Sequence, residues 1–258
     1  MKITCLIENT AFDDTMHSEH GLSLFIESNG TNILFDMGQS DLFAINAEKL
    51  GVNLLETDIA VLSHGHYDHG GGLKKFFELN SKAPVYLSNH SFEPHYNGTE
   101  KYIGLDSSLK NNSRLIFTDK KTSIGNGITL YSCNNMKTIL PLDSGGLTEY
   151  SENKFIPDRF LHEQYLLIEE NSKRILISGC SHKGIVNICE WFRPDVLIGG
   201  FHFSKYSLDE RLKEFSRKLG KYETEFYTCH CTGTEQFVFM KEYIKNLFYI
   251  SAGQIIEI

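Results

Sequence analysis

The stretch Asp58-Ile59-Ala60-Val61-Leu62-Ser63-His64-Gly65-His66-Tyr67-Asp68-His69-Gly70-Gly71-Gly72 decides how the rest of the chain is read. Its first six residues form a compact apolar run of strand length. The run ends in four ligand-type side chains, His64, His66, Asp68 and His69, within six positions. Glycines around them permit the tight turn that points several side chains at one locus. A loop placed directly after a buried strand lies at the carboxyl end of a sheet, where α/β proteins put their sites. Imidazole and carboxylate suit zinc, manganese or iron. His64 and His66, two apart in an extended stretch, share one face and clamp one ion, while Asp68 and His69 aim at a second.

Outward from this loop the pattern is that of an α/β domain. Residues 22–27 and 32–36 flank Ser28-Asn29-Gly30-Thr31, a hairpin signal because Asn-Gly tolerates positive φ. Ser40 is expected to cap a helix through Leu50, closed by Gly51. Further helices are expected at 73–79, 184–192 and 234–244, and one opened by the capping box Ser207-x-x-Glu210 and closed by Gly220. The segment from Ile26 to Leu34 is echoed by Ile168 to Leu176 at a constant offset of 142 residues, and Asp58 to Ser63 by Asp195 to Gly200 at an offset of 137. Each copy runs hairpin, helix, strand, then a His-bearing loop. The expected architecture is therefore one domain over 1–258 made of two similar halves, two sheets face to face with helices outside. Residues from about 90 to 160 are rich in Asn, Ser, Gly and Lys, with short strands expected at 114–117 and 128–131. They read as a lid or substrate loop.

Composition narrows the function classes. The chain has 258 residues, 25 Lys+Arg against 33 Asp+Glu, a net charge of −8, and 41% hydrophobic residues. That is an ordinary globular mix with enough length for a sizeable core. Net acidity argues against a general nucleic-acid surface, which needs a basic face. Six scattered cysteines make no disulfide framework. No apolar run reaches the roughly 20 residues of a membrane span, and Glu8 interrupts any leader-like start. A cytoplasmic protein with reduced thiols and a small-molecule substrate is expected. The eleven histidines are the unusual count.

More ligands must come from elsewhere in the chain. His182, in Ser178-Gly179-Cys180-Ser181-His182, and His230, in Cys229-His230-Cys231-Thr232-Gly233, both follow core strands directly. His202, in Gly199-Gly200-Phe201-His202, gains from the internal echo as a ligand or a substrate contact. Cys180 is a further candidate ligand, because it ends a strand pointing at the same cleft. A single C-x-C at Cys229 and Cys231 lacks the paired spacing of a structural zinc site. His162, His17 and His20 read as mainly structural or rim residues, and His90 and His95 as surface residues. Lys183, Lys205 and Arg159 are candidate anion contacts.

With these residues assembled, the sequence resembles the metallo-β-lactamase fold superfamily over nearly its whole length. The loop from His64 to His69, preceded by Asp36 in Leu34-Phe35-Asp36-Met37-Gly38, carries the resemblance. His20-Gly21-Leu22-Ser23, Gly179-Cys180-Ser181-His182-Lys183-Gly184, Gly199-Gly200-Phe201-His202 and His230-Cys231-Thr232-Gly233 resemble one branch of it. That branch is named for 7,8-dihydropterin-6-methyl-4-(β-D-ribofuranosyl)-aminobenzene-5′-phosphate synthase. The resemblance implies an αβ/βα four-layer sandwich with a metal site, often dinuclear, between the sheets. It implies one or two zinc ions, with manganese or iron as alternatives. Many members carry Thr-Gly-Asp, whose carboxylate bridges two metals, where this chain has Ser178-Gly179-Cys180. Either Cys180 substitutes or one site is weak.

The general chemistry follows from such ligands. A bound divalent ion lowers the pKa of coordinated water toward about 7, and two ions roughly 3.5–4 Å apart hold both nucleophile and leaving oxygen. Asp68 is expected either to ligate or to orient that water, and Asp36 to fix the tautomer of a ligand histidine. The first expectation is metal-dependent hydrolysis of a small phosphorylated or cyclic-ester molecule, with His202 and Lys183 touching substrate. The second is the branch's named chemistry, joining an aryl acid to a phosphoribosyl donor with pyrophosphate release. A third is a metal- or pterin-binding protein without turnover.

Overall fold

Both halves of the fold start from hairpins with the same register. The computed structural model describes residues 1–258. In chain order its strands are β1 (Lys2–Ile7), β2 (Ser23–Ser28), β3 (Thr31–Phe35), β4 (Ile59–Val61), β5 (Val85–Ser88), β6 (His95–Asn97), β7 (Lys101–Tyr102), β8 (Leu115–Thr118) and β9 (Lys121–Gly125). There follow β10 (Ile128–Tyr131), β11 (Leu147–Ser151), β12 (Lys154–Pro157), β13 (Tyr165–Glu170), β14 (Lys173–Ile177), β15 (Val196–Gly199), β16 (Glu225–Thr228), β17 (Leu247–Tyr249) and β18 (Ile255–Glu257). One seven-stranded sheet has the order β18-β1-β2-β3-β4-β5-β8, the other β17-β16-β15-β14-β13-β10-β9. Read from opposite ends, the two orders match strand for strand. In each, the hairpin is antiparallel and the strands beyond it run parallel.

The hairpin turns show why the echo at offset 142 is structural. Ser28 pairs with Thr31 and Glu170 with Lys173, leaving two turn residues in each case. Asn29 and Gly30 have φ of 50° and 70°, Asn171 and Ser172 φ of 51° and 63°. Positive φ at both positions is the two-residue turn whose twist fits a hairpin. The two turns also touch, since Ser28 Oγ donates to Glu170 Oε2 at 2.9 Å.

Side-chain alternation assigns each strand two buried faces. Ile26, Ile33, Phe35, Ile59 and Val61 meet Ile168, Ile175, Ile177, Val196 and Ile198 in one core between the sheets. Phe25, Leu34, Ala60 and Leu62 point the other way, against helices α1 (Leu42–Lys49) and α3 (Leu73–Leu79). Between these helices lies α2 (Tyr67–Gly70), a single turn. In the second half Leu167, Leu176 and Leu197 face α4 (Ile185–Phe192), α5 (Glu210–Leu219) and α6 (Thr234–Lys241). Helix, sheet, sheet, helix is the four-layer sandwich anticipated from the duplicated pattern.

Local details differ from the expected boundaries. Helix α5 is capped by Asp209, whose side chain accepts from the amides of Arg211 and Leu212, not by Ser207. A carboxylate at that position serves two orphan amides and the helix dipole together, which outweighs the capping-box match. Helix α1 has Asp41, not Ser40, at its N-cap, and Ser40 Oγ, one residue earlier, accepts from Leu42 N at 3.2 Å. Helix α6 stops at Lys241. The stretch 90–160 divides: β8 extends the first sheet, β9 and β10 the second, and β6, β7, β11 and β12 form a separate four-stranded sheet.

Equivalent core positions should carry equivalent weight. Ile33→Ala and Ile175→Ala, both fully buried between the sheets, are each expected to cost about 2–5 kcal/mol in urea unfolding. A cost under about 1 kcal/mol at either position would contradict a shared, close-packed core.

Candidate metal centre

The site is built where β3 and β4 end. At Asp36 the backbone takes φ of 57°, a left-handed conformation that costs a non-glycine residue on the order of 1 kcal/mol. The turn aims the fully buried Asp36 carboxylate back across β4. Its Oδ1 accepts from Ser63 N and its Oδ2 from Ser63 Oγ, each at 2.7 Å. Asp36 Oδ2 also holds His69 Nδ1 at 2.7 Å. His66 remains extended while Asp68 and His69 lie on the single turn of α2. The glycines here serve close approach more than positive φ. A Cβ on Gly65 would run into the Ser91 carbonyl, and one on Gly71 into the carbonyls of Gln39 and Tyr67.

Both halves supply donors to one place. His64, His66 and His182 bring one nitrogen each to within 4.8 Å of one another, with His64 Nε2 3.3 Å from His182 Nε2. Beside them His69 Nε2 lies 3.2 Å from His230 Nε2 and 3.7 Å from Asp68 Oδ2. Asp68 Oδ2 is 3.4 Å from His230 Nε2. Cys180 Sγ, 3.2 Å from His69 Nε2, also groups with His64, so it sits between the two sets. His182 and His230 thus join the loop histidines, and Cys180 adjoins His64 of one set and His69 of the other.

Hydrogen bonds outside the cluster fix the tautomers. Ser63 Oγ gives its proton to Asp36, so it accepts from His64 Nδ1, 2.7 Å away. His69 Nδ1 donates to Asp36, and His230 Nδ1 to Asn9 Oδ1 at 2.8 Å. A neutral ring with its proton on Nδ1 keeps a lone pair on Nε2. Two such lone pairs, on His69 and His230, meet the Asp68 carboxylate, and the third, on His64, lies with His69 and Cys180, donor sets that fit first-row divalent ions.

Electrostatics support that fit. Burial, with neighbouring imidazoles, holds His64, His66 and His182 well below the ordinary histidine value, so they are neutral at pH 7. Burial also works against a charged His69, but Asp36 and Asp68 beside it raise its pKa. Burial would raise Asp68, yet His69, His20 and His230 hold it well below the carboxylate range. Burial, with Cys231 beside it, pushes the Cys180 thiol up. A coordinated metal would reverse this and leave a thiolate.

Other residues fall differently. His202, at φ of 58°, lies with its ring centroid 4.4 Å from that of His182. It lines a cavity of about 290 Å³ with Gly145, Ser204, Lys205, Tyr206 and Arg211. Lys183 does not reach this cavity, so the expected substrate contact is corrected. Its ammonium is buried and donates to Ser132 O, Asn134 Oδ1 and Glu163 O at 2.7–2.9 Å. Its three protons are used inside the protein, and burial brings its pKa down to about 8. Arg159 is engaged by Glu149. His95, expected at the surface, is fully buried. His20, expected as a structural or rim residue, has Nε2 3.3 Å from Asp68 Oδ2 at the mouth of the site. Glu163, which accepts from the amides of His182 and Lys183, and Glu8, which accepts from His230 N, carried no motif signal. Acidic residues are common and only the fold brings these two to the loops.

The chain belongs to the metallo-beta-lactamase superfamily, whose sequence pattern matches residues 19–220. A crystal structure described as a metal-dependent hydrolase of the beta-lactamase superfamily is 30% identical, with a TM-score of 0.83, covering 100% of this chain and 99% of that one. A relative from Methanocaldococcus jannaschii is 28% identical over 100% of this chain and 96% of its own length. It is named 7,8-dihydropterin-6-methyl-4-(beta-D-ribofuranosyl)-aminobenzene-5'-phosphate synthase. Zn(2+)-bound PqqB from Methylobacterium extorquens shares the fold, at a TM-score of 0.60 and 10% identity, each chain covered fully. The family implies a divalent metal, and the clusters at the sheet ends have the donors for one. No helix is long and apolar enough to cross a membrane.

Two expectations follow. Asp36→Asn keeps the shape but loses the charge behind His69, and should weaken zinc binding about 10–100-fold by chelator competition. Unchanged affinity would remove Asp36 from its supporting role. In metal-free protein, burial lowers His162 to about 4, below the unfolded value of about 6.5. The unfolded chain therefore takes up a proton that the folded one refuses, and stability falls as pH drops from 7 to 4. His162 alone should contribute about 3 kcal/mol of that fall, and His162→Gln should flatten the urea-unfolding profile in that window.

Proposed function

We propose that this protein is a metal-dependent hydrolase acting on a small phosphorylated or cyclic-ester substrate. The observation that carries the reading is two adjoining donor sets, His64, His66 and His182 in one and His69, His230 and Asp68 in the other, with Cys180 grouped with His64 and His69. On this reading His64, His66 and His182 hold one divalent ion, and Asp68, His69 and His230 a second, with Cys180 between them. Zinc is the first expectation for such nitrogen-rich sets. When bound, the ions supply Lewis acidity and activate water near neutral pH. Asp36 keeps the His69 lone pair aimed inward, and Asn9 does the same for His230. Asp68, held anionic, orients groups at the mouth together with His20. His202, beside His182 and facing the Lys205–Arg211 cavity, contacts substrate. The local cation count there matters more than the net charge of −8, because bound ions set the local field.

The synthase-named relative, matched along this whole chain, favours a second reading. There the same cluster would engage the pyrophosphate of a phosphoribosyl donor while an aryl acid attacks the sugar carbon. One assay panel separates the two. Zinc- or manganese-loaded protein is expected to hydrolyse bis(p-nitrophenyl) phosphate, and His66→Ala to lose at least about 100-fold in kcat/KM. Equal turnover by His66→Ala would refute the site. Pyrophosphate release that requires an aryl acid, without phosphodiester hydrolysis, would replace the first reading with the second.

A further inference from the structure

A second buried polar cluster shares His66 with the metal centre, and its other members have no part in the chemistry above. His66, His95, Asp158 and His162 each bring a ligand-type atom to within 4.8 Å of the others. All four are buried, and the Nε2 atoms of His66, His95 and His162 have no protein partner. His95 belongs to β6 and Asp158 directly follows β12, so the separate four-stranded sheet meets the metal loop here. The seam continues in backbone bonds, Tyr67 N to Ile103 O at 2.9 Å and Ile103 N to His95 O at 2.8 Å.

Hydrogen bonds dictate where the protons lie. Gly65 N donates to His162 Nδ1 at 2.9 Å, so a neutral His162 carries its proton on Nε2. That nitrogen is 3.5 Å from Asp158 Oδ2. Asp158 Oδ1 accepts from Phe160 N at 2.7 Å and Oδ2 from His95 Nδ1 at 2.8 Å. His95 therefore has its lone pair on Nε2. Within this arrangement only His66 remains to be assigned. The His66 and His95 rings stand edge to face with centroids 5.7 Å apart, and no hydrogen bond joins their Nε2 atoms directly. A proton on His66 Nε2 would be attracted to the His95 lone pair across that gap and would leave Nδ1 as the ligand atom. A cation held by all four residues would need the Nε2 lone pair of His162, which the Gly65 bond excludes.

We propose that His95 and Asp158 are positioning residues for the metal centre: Asp158 orients His95, and His95 Nε2 fixes the His66 ring with Nδ1 toward the ion. The separate sheet then completes the metal centre from behind, in addition to covering it. The proposal rests on the metal-centre reading above.

The test compares wild type, Asp158→Asn, Asp158→Glu and His95→Gln by zinc competition against a chromophoric chelator, with imidazole ¹H–¹⁵N correlation spectra of the metal-free proteins. Asp158→Asn and His95→Gln are expected to bind zinc about 10–100-fold more weakly, with Asp158→Glu recovering part of the loss. Wild-type spectra are expected to show His95 protonated on Nδ1 and His162 on Nε2, and the His66 signals to broaden or change tautomer in Asp158→Asn. Equal zinc affinity in Asp158→Asn, or a His95 proton on Nε2 in wild type, would overturn the proposal. So would loss of one whole metal equivalent with the others unchanged, which marks a cation site instead. If Asp158→Asn does not fold, His95→Gln carries the affinity comparison. A wild type that binds no zinc defeats the metal-centre reading, and the spectra still decide the arrangement of His95.

Discussion

The hydrogen bonds of the Asp36 carboxylate organise everything around them. Three donors meet it, the amide and hydroxyl of Ser63 and the Nδ1 of His69. Through Ser63 it also reaches His64. One buried side chain thus joins the end of β3 to the end of β4 and sets the tautomers of His64 and His69. Burying a carboxylate is costly unless its lone pairs are filled, and here the filling groups are the ones the site must hold still. Loss of that group would release the loop from the sheet as well as change its charge.

The same economy appears in the backbone. Asp36, Ser181, His202 and His230 all have positive φ, and each lies just past a core strand. Such conformations persist only where surrounding structure over-determines them. The inter-sheet core supplies that rigidity, because ten or more aliphatic side chains lock the strand ends from which these residues project. Packing and chemistry are therefore coupled at the strand ends. A softer core would let the donors drift, and metal sites tolerate little drift in ligand position.

How much of this was legible beforehand depended on whether a signal was local. The hairpins at Asn29-Gly30 and Asn171-Ser172 announce themselves through turn chemistry, and the loop from His64 to His69 through density of ligand types. His182 and His230 were legible because each follows an apolar run within a few residues. His95 was not, since nothing near it in sequence is apolar enough to suggest burial; Asp158, more than sixty residues on, draws it inside. Lys183 misled for the converse reason. A lysine beside a ligand histidine looks like an anion contact until the fold shows its ammonium facing three internal acceptors. Residues 90–160 resisted reading because their strands pair at long range, β11 with β6 and β10 with β13.

The matched strand orders of the two sheets have a consequence in terms of symmetry. Two like halves packed face to face are related by an approximate twofold axis, and the donors from both meet between the sheet ends. A group near such an axis has no room for its own mate. The loop equivalent to His64–His69 reads Phe201-His202-Phe203-Ser204-Lys205-Tyr206, with Phe201, Phe203 and Tyr206 at the positions of the three histidines, Lys205 at that of Asp68 and His202 opposite Gly65. Duplication here did not yield two sites. It yielded one site with unlike sides, a loop dense in donors from the first half and, from the second, the scattered donors Cys180, His182 and His230 beside an aromatic loop around His202.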